Sequence, residues 1–218
     1  MANVSVVLDG NGKLHVVYKE YASNIYYTTN VLGSWSTKQY ISNNSIYNKK
    51  ALDLYRNGDF IYFAIGQSKI CIFKLDNGVW SEINRGTQDN PNAYVCNFNT
   101  DGSLLYDENG DLYIVTNPFD PIGSWDKTLI DSTNTIYAGT SVIDKNGKVF
   151  IVYNADGGLV LASDNGSGWE KVELDSSYCK YFQVSAAEFD SSNKLHIVYN
   201  NGYSSSTYYM NAITVDID

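Results

Sequence analysis

Four tryptophans, Trp35, Trp80, Trp125 and Trp169, stand 45, 45 and 44 residues apart, each one or two places after a glycine. Four rare residues on one period make the chain an array of one repeated unit. A second period runs through Gly12, Gly58, Gly102, Gly147 and Asn193, at spacings of 46, 44, 45 and 46. Glycine and asparagine tolerate the positive φ of a tight hairpin, so these residues mark the turn between the first two strands of each unit. They count five units, the last without a tryptophan. Between the anchors run β-branched and aromatic segments bounded by Asn, Asp, Gly and Ser, with no helical periodicity. A period of this length built of short strands predicts an all-β fold, a five-bladed β-propeller with four antiparallel strands per blade and about 45 residues per repeat.

The expected blades cover about 1–42, 43–84, 85–131, 132–175 and 176–218, in a single domain. The third unit allows two registers. Taking Thr100-Asp101-Gly102 as its first turn keeps the period, makes Asp107–Gly110 a shortened second turn and leaves Asn117–Ile122 as slack before Trp125. In the fifth unit, segments 207–211 and 213–217 read as third and fourth strands. Each tryptophan is expected to open an outer strand and pack between neighbouring sheets, as scaffold rather than site.

Charge removes several functions. The chain carries a net charge of −9 and only two arginines, Arg56 and Arg85. Nucleic-acid binding relies on clustered Lys and Arg, so DNA and RNA are not expected partners. No run approaches the roughly 20 apolar residues of a membrane span, so membrane insertion is not expected. The opening MANVSVVLDG lacks the basic and apolar regions of a signal peptide, which fits an intracellular protein or a secreted or surface module excised from a longer chain. Cys71, Cys96 and Cys179 are an odd set without a C-x-x-C, and read as small apolar residues. No cofactor or metal is expected. His15 and His196 share one repeat position, but sheets about 10 Å apart do not bring two imidazoles to the ~2 Å that zinc requires. The Asp-x-Asn-Gly turns lack the distal glutamate of a calcium loop and read as turn chemistry.

The run Ser163-Asp164-Asn165-Gly166-Ser167-Gly168-Trp169 resembles the Asp-box turn, S-x-D-x-G-x-x-W, of sialidase-like propellers, with the aspartate one place early. Asp9–Tyr18 and Ser192–Tyr199 resemble repeats of the same broad group. That resemblance implies a substrate carboxylate held by three arginines. This chain has two, and Arg56 lies in a first turn, so sialidase activity is not expected. Blade number and size also resemble tachylectin-type lectins, which implies amino-sugar binding between blades; no residue is carried over.

Two candidate sites remain. Five residues before each turn anchor stand Val7, Asp53, Asn97, Val142 and Glu188. Asp53 and Glu188 are thus candidate inner-strand carboxylates for glycoside hydrolysis, or solvated residues lining an axial channel. The second candidate is a tyrosine period, Tyr47, Tyr94, Tyr137 and Tyr178 or Tyr181, just before the first strand of units 2 to 5. The neighbouring segments are rich in Asn, Ser, Asp, Gly and Tyr, groups that suit sugar hydroxyls and the C–H faces of sugars. The leading expectation is a non-catalytic, lectin-like propeller with repeated glycan sites on one face. The alternatives are a structural or protein-interaction module of a surface fibre or toxin, and a glycoside hydrolase using Asp53 and Glu188.

Overall fold

The structure is a computed structural model, described here for residues 4–20, 24–31, 33–42, 52–66, 70–85, 96–108, 110–121, 124–132, 136–176, 183–204 and 207–217. Five successive sheets follow the five repeats, and every described pairing is antiparallel. The first repeat forms β1 (Val4–Leu8), β2 (Leu14–Lys19), β3 (Ile25–Val31), β4 (Ser34–Trp35) and β5 (Gln39–Ser42). Both β4 and β5 pair with β3, so the outer strand is one strand interrupted by an extra residue. The second sheet runs β6 (Leu52–Asn57), β7 (Phe60–Gly66), β8 (Ile70–Asp76), β9 (Val79–Arg85). The third runs β10 (Cys96–Phe98), β11 (Leu104–Glu108), β12 (Asp111–Val115), β13 (Lys127–Asp131). The fourth runs β14 (Ile136–Ile143), β15 (Val149–Ala155), β16 (Gly158–Asp164), β17 (Trp169–Asp175). The fifth has three strands, β18 (Gln183–Phe189), β19 (Lys194–Ser204) and β20 (Thr207–Asp216). The two final strands expected there are one: Asn211 pairs with Tyr199 inside a continuous ladder instead of turning the chain.

The turn anchors hold positive φ as their residue types demand: 75° at Gly12, 59° at Gly58, 88° at Gly102, 84° at Gly147 and 65° at Asn193. Four of the five turns are one structure. In the first, the Asp9 N–H donates to the Lys13 carbonyl and the Gly12 N–H to the Asp9 carbonyl; the same pair recurs from Asn99, Asp144 and Asp190. An aspartate organises three of them. One carboxylate oxygen of Asp9 accepts from the N–H groups of Asn11 and Lys13, and Asp144 and Asp190 do the same two and four residues on. The second repeat departs from this. Gly58-Asp59 is a two-residue loop closed by the Asn57–Phe60 pair, with glycine at the first central position. The register chosen for the third repeat agrees with β10, β11 and β12, and the slack segment has a structural use. Phe119 lies against Tyr62, Phe98 and Tyr55, at ring-centroid distances of 4.1, 5.7 and 6.0 Å.

Cα packing divides the chain into two compact units, Met1–Asn109 with Val115–Lys127, and Gly110–Ile114 with Thr128–Asp218. In the first, Val17, Ile25 and Tyr27 on one face of the first sheet bury against Leu54, Phe63, Ile65 and Phe73 of the second. In the second, Phe150, Val152, Leu159 and Leu161 bury against Leu195, Ile197 and Tyr199. Alternation along β2 and β19 produces these faces, since side chains of period two meet a neighbouring sheet on one side. Trp80 follows the expected packing, edge-on to Tyr27 and to Phe63 from the two sheets it separates. Trp125 lies edge-on to Tyr106 and donates its indole N–H to the Asp120 carbonyl. Trp35 does not follow it: on the short β4 it is 56% exposed.

Candidate functional site

Four of the five predicted ligand-binding tyrosines, Tyr47, Tyr94, Tyr178 and Tyr181, lie outside the described residues. Tyr137 belongs to β14 by its backbone, beside a bulge between Ile136 and Gly139. The two predicted carboxylates have different surroundings. Glu188 is exposed on β18, opposite His196. Asp53 is enclosed and occupied. Its Oδ1 accepts from the Ser5 hydroxyl at 2.8 Å and the Leu54 N–H at 2.9 Å, and its Oδ2 accepts from the Phe98 N–H at 2.8 Å. One carboxylate thereby ties the innermost strands β1, β6 and β10 of three consecutive sheets. Burial raises its pKa, and the three hydrogen bonds work against that rise.

A second set of polar residues marks the ends of the outer strands. Asp131, at the end of β13, is buried and accepts from the Tyr153 hydroxyl at 2.6 Å, the Lys171 ammonium at 2.8 Å and the Ser132 N–H at 2.9 Å. Asp175, at the end of β17, accepts from the Tyr199 hydroxyl at 2.8 Å. The two aspartates are 44 residues apart and the two tyrosines 46, so this is one latch used twice. Burial and the adjoining carboxylate hold both phenols in the neutral form; Tyr199 is pushed up to about 12. Asn154, the residue after Tyr153, is fully buried and its Oδ1 has no partner among the described residues, while its Nδ2 donates to the Gly158 carbonyl.

Lysines recur at the outer strands too. Lys38, Lys127 and Lys171 stand 89 and 44 residues apart, two periods and one. Each meets a carboxylate: Glu20 at 2.8 Å, Glu108 at 2.7 Å and Asp131 at 2.8 Å. Around the second and third, the tyrosines Tyr106 and Tyr153 are buried. Around the first they are not. Tyr18, Tyr26 and Tyr40 pair directly across β2, β3 and β5 in one row, with successive ring centroids 6.0 Å apart. The Lys38 ammonium lies 4.3 Å from the Tyr26 ring centroid and bonds both oxygens of Glu20, at 2.8 and 2.9 Å. This row is on the face of the first sheet opposite Val17 and Ile25, and Tyr40 is 50% exposed.

The histidines are turn supports. His15 is buried between the Asp9 carboxylate, 3.3 Å from Nε2, and the Tyr27 hydroxyl, 2.8 Å from Nδ1. Burial lowers its pKa, against the pull of Asp9. His196 repeats the contact with Asp190 at 2.9 Å on an exposed surface. Among the described residues, no group of three or more His, Cys, Asp or Glu is placed to hold a metal ion.

No protein-family model matches the chain, and no curated protein matches it in sequence. Solved structures do. AofleA from Arthrobotrys oligospora matches over 98% of this chain and 68% of its own, with a TM-score of 0.64 at 12% identity. SapL1 lectin, solved with alpha methyl fucoside, matches over 98% and 80%, with a TM-score of 0.59 at 13% identity. Aleuria aurantia lectin, as its N224Q mutant with alpha-methyl-L-fucoside, matches over 98% and 77%, with a TM-score of 0.56 at 11% identity. NanB, solved with Optactamide, matches over 88% of this chain and 36% of its own, with a TM-score of 0.56 at 11% identity. Identities this low show a shared fold alone. With one antiparallel sheet per repeat, that fold is the β-propeller.

Proposed function

We propose that the chain is a non-catalytic glycan-binding propeller, with sites repeated along the face that carries Tyr47, Tyr94, Tyr137, Tyr178 and Tyr181. The observation that carries this reading is the fold shared with SapL1 and Aleuria aurantia lectin, both solved with a methyl fucoside. The tyrosine period supports it, because each tyrosine adjoins Asn-, Ser- and Asp-rich segments able to bond sugar hydroxyls. Glycoside hydrolysis by Asp53 and Glu188 is disfavoured. A hydrolytic carboxylate must turn its oxygens to substrate or water, whereas both Asp53 oxygens serve donors from the protein's own strands.

Glycan-array binding tests the proposal. Wild-type protein is expected to retain a discrete set of glycans, and Tyr137→Ala or Tyr94→Ala to lose at least tenfold in signal with an unchanged circular-dichroism spectrum. An array without hits favours the other reading, a protein-interaction module. One surface fits that outcome: Val4, Val6 and Leu8 are each more than half exposed at alternate positions of β1.

A further inference from the structure

We propose that the first sheet carries a saccharide site of its own, formed by Tyr18, Tyr26 and Tyr40 with Lys38 and Glu20, and that its ligand is a neutral pyranoside with adjacent hydroxyls. The proposal rests on the glycan-binding reading and adds a site that the tyrosine period does not contain. Three observations carry it.

The first is the contrast among equivalent positions. The lysine–carboxylate pair recurs in three repeats, and in the first it is set beside a row of tyrosines that includes the exposed Tyr40. A cross-strand row of tyrosines adds sheet stability by itself, yet the same row on β15 or β19 is replaced by a single tyrosine latched to an aspartate. Tyr18 is the repeat equivalent of Tyr153 and Tyr199, six residues after the anchor. Its hydroxyl makes no hydrogen bond among the described residues.

The second is preorganisation. Lys38 is fixed at both ends of its ammonium's reach, by two Glu20 oxygens and by the Tyr26 ring. Glu20 raises the Lys38 pKa, so the cation persists throughout the neutral range. Holding donor and acceptor in place before binding removes much of the side-chain entropy a ligand would otherwise cost. Ammonium and carboxylate then face a ligand as one fixed donor group and one fixed acceptor group. Of two adjacent hydroxyls, one accepts from Lys38 and the other donates to Glu20. The C–H face of the same ring lies on the exposed Tyr40, an aromatic surface with a polar tip.

The third is the selection among occupants. A protein surface laid over this row would strip water from an ion pair without replacing its hydrogen bonds, a desolvation cost that commonly exceeds the pair's attraction. A sugar supplies those bonds. An anionic sugar is disfavoured, because Lys38 is already neutralised by Glu20 and the chain has a net charge of −9.

The experiment uses the whole chain. The best neutral hit from the array, with methyl α-L-fucoside as a defined probe, is titrated calorimetrically into wild type, Tyr40→Ala, Lys38→Met and Glu20→Gln. Tyr40 and Lys38 are exposed and Glu20 is half-buried at the surface, so these variants are expected to melt within a few degrees of wild type. Each is expected to lose at least one binding equivalent per chain, or tenfold in affinity where one class of site dominates. Stoichiometry and affinity unchanged in all three variants, but reduced in Tyr137→Ala, overturn this site and leave the glycan-binding reading standing. No binding of any glycan by wild type overturns both.

Discussion

Single carboxylates do much of the structural work in this chain, and Asp53 does the most, since its loss affects three strands at once. Asp53→Ala leaves the Phe98 N–H without its acceptor, leaves the Leu54 N–H only the Ser5 hydroxyl at 3.0 Å, and removes the anchor of that hydroxyl. An unsatisfied buried donor costs about 1–3 kcal/mol, so urea denaturation at pH 7 is expected to show a loss in that range. The pH dependence has a definite sign. The folded carboxyl titrates above its unfolded value of 3.8 because burial disfavours the charge. The folded state therefore holds this proton more tightly, and the group's contribution is full below 3.8 and falls as pH rises through the folded pKa. The gap in stability between wild type and Asp53→Ala should narrow from pH 4 to pH 7. A gap that widens would show that the hydrogen bonds outweigh burial. The sequence identifies Asp53 as an inner-strand residue, which is where it lies. Its use as a clamp was not legible, because Ser5 and Phe98 lie 48 and 45 residues away and nothing local distinguishes a tied carboxylate from a free one.

Strands and turns were the most legible level, because their determinants are local. Every first-turn anchor takes the positive φ that Gly or Asn signals, and Asn77-Gly78 makes the primed turn its dipeptide predicts, with φ of 49° and 81°. The aspartate three places before the anchor was legible as turn chemistry in the Asp-x-Asn-Gly runs at Asp9 and Asp144, and Asp190 holds the same place without that run. It occurs in three of the five repeats, where one carboxylate oxygen accepts the two N–H groups that close the turn. The tyrosine–aspartate latches were likewise present as periods of 44 and 46 residues, but the pairing itself joins Asp131 to Tyr153 across 22 residues. The same turns also separate two costs of a glycine. Gly147 has φ 84° with nothing near an added Cβ, so Gly147→Ala meets backbone strain alone, about 1–2 kcal/mol. Gly102 has φ 88°, and its Cβ would stand 2.9–3.0 Å from the Tyr55 ring and hydroxyl. Gly102→Ala is therefore expected to lower the urea midpoint more than Gly147→Ala. Equal midpoints would mean that Tyr55 moves aside freely.

At the scale of the whole chain, repetition bears on the proposed function as well as on the fold. Five copies of a unit place equivalent groups at equivalent positions, and a weak site so multiplied gains most from a ligand that is itself repeated. Period alone located the tyrosines but did not separate binding from gap-filling, since a repeated position is first of all architectural. The first-sheet row shows the opposite limit: Tyr18 shares its repeat position with Tyr153 and Tyr199, but strand register is what sets it in a row with Tyr26 and Tyr40. If repeated sites act together, the chain should bind a glycan displayed densely on a surface about 10²–10⁴-fold more tightly than the same glycan free in solution. Lowering the display density should abolish that gain in surface plasmon resonance while leaving the solution affinity unchanged. Because the expected ligand is neutral, the affinity should vary little between low and moderate salt, in contrast to a charge-driven contact, which salt screens over about 8–10 Å. A density-independent affinity would reduce the sites to one per chain, and the first-sheet row would then compete directly with Tyr137 as its location.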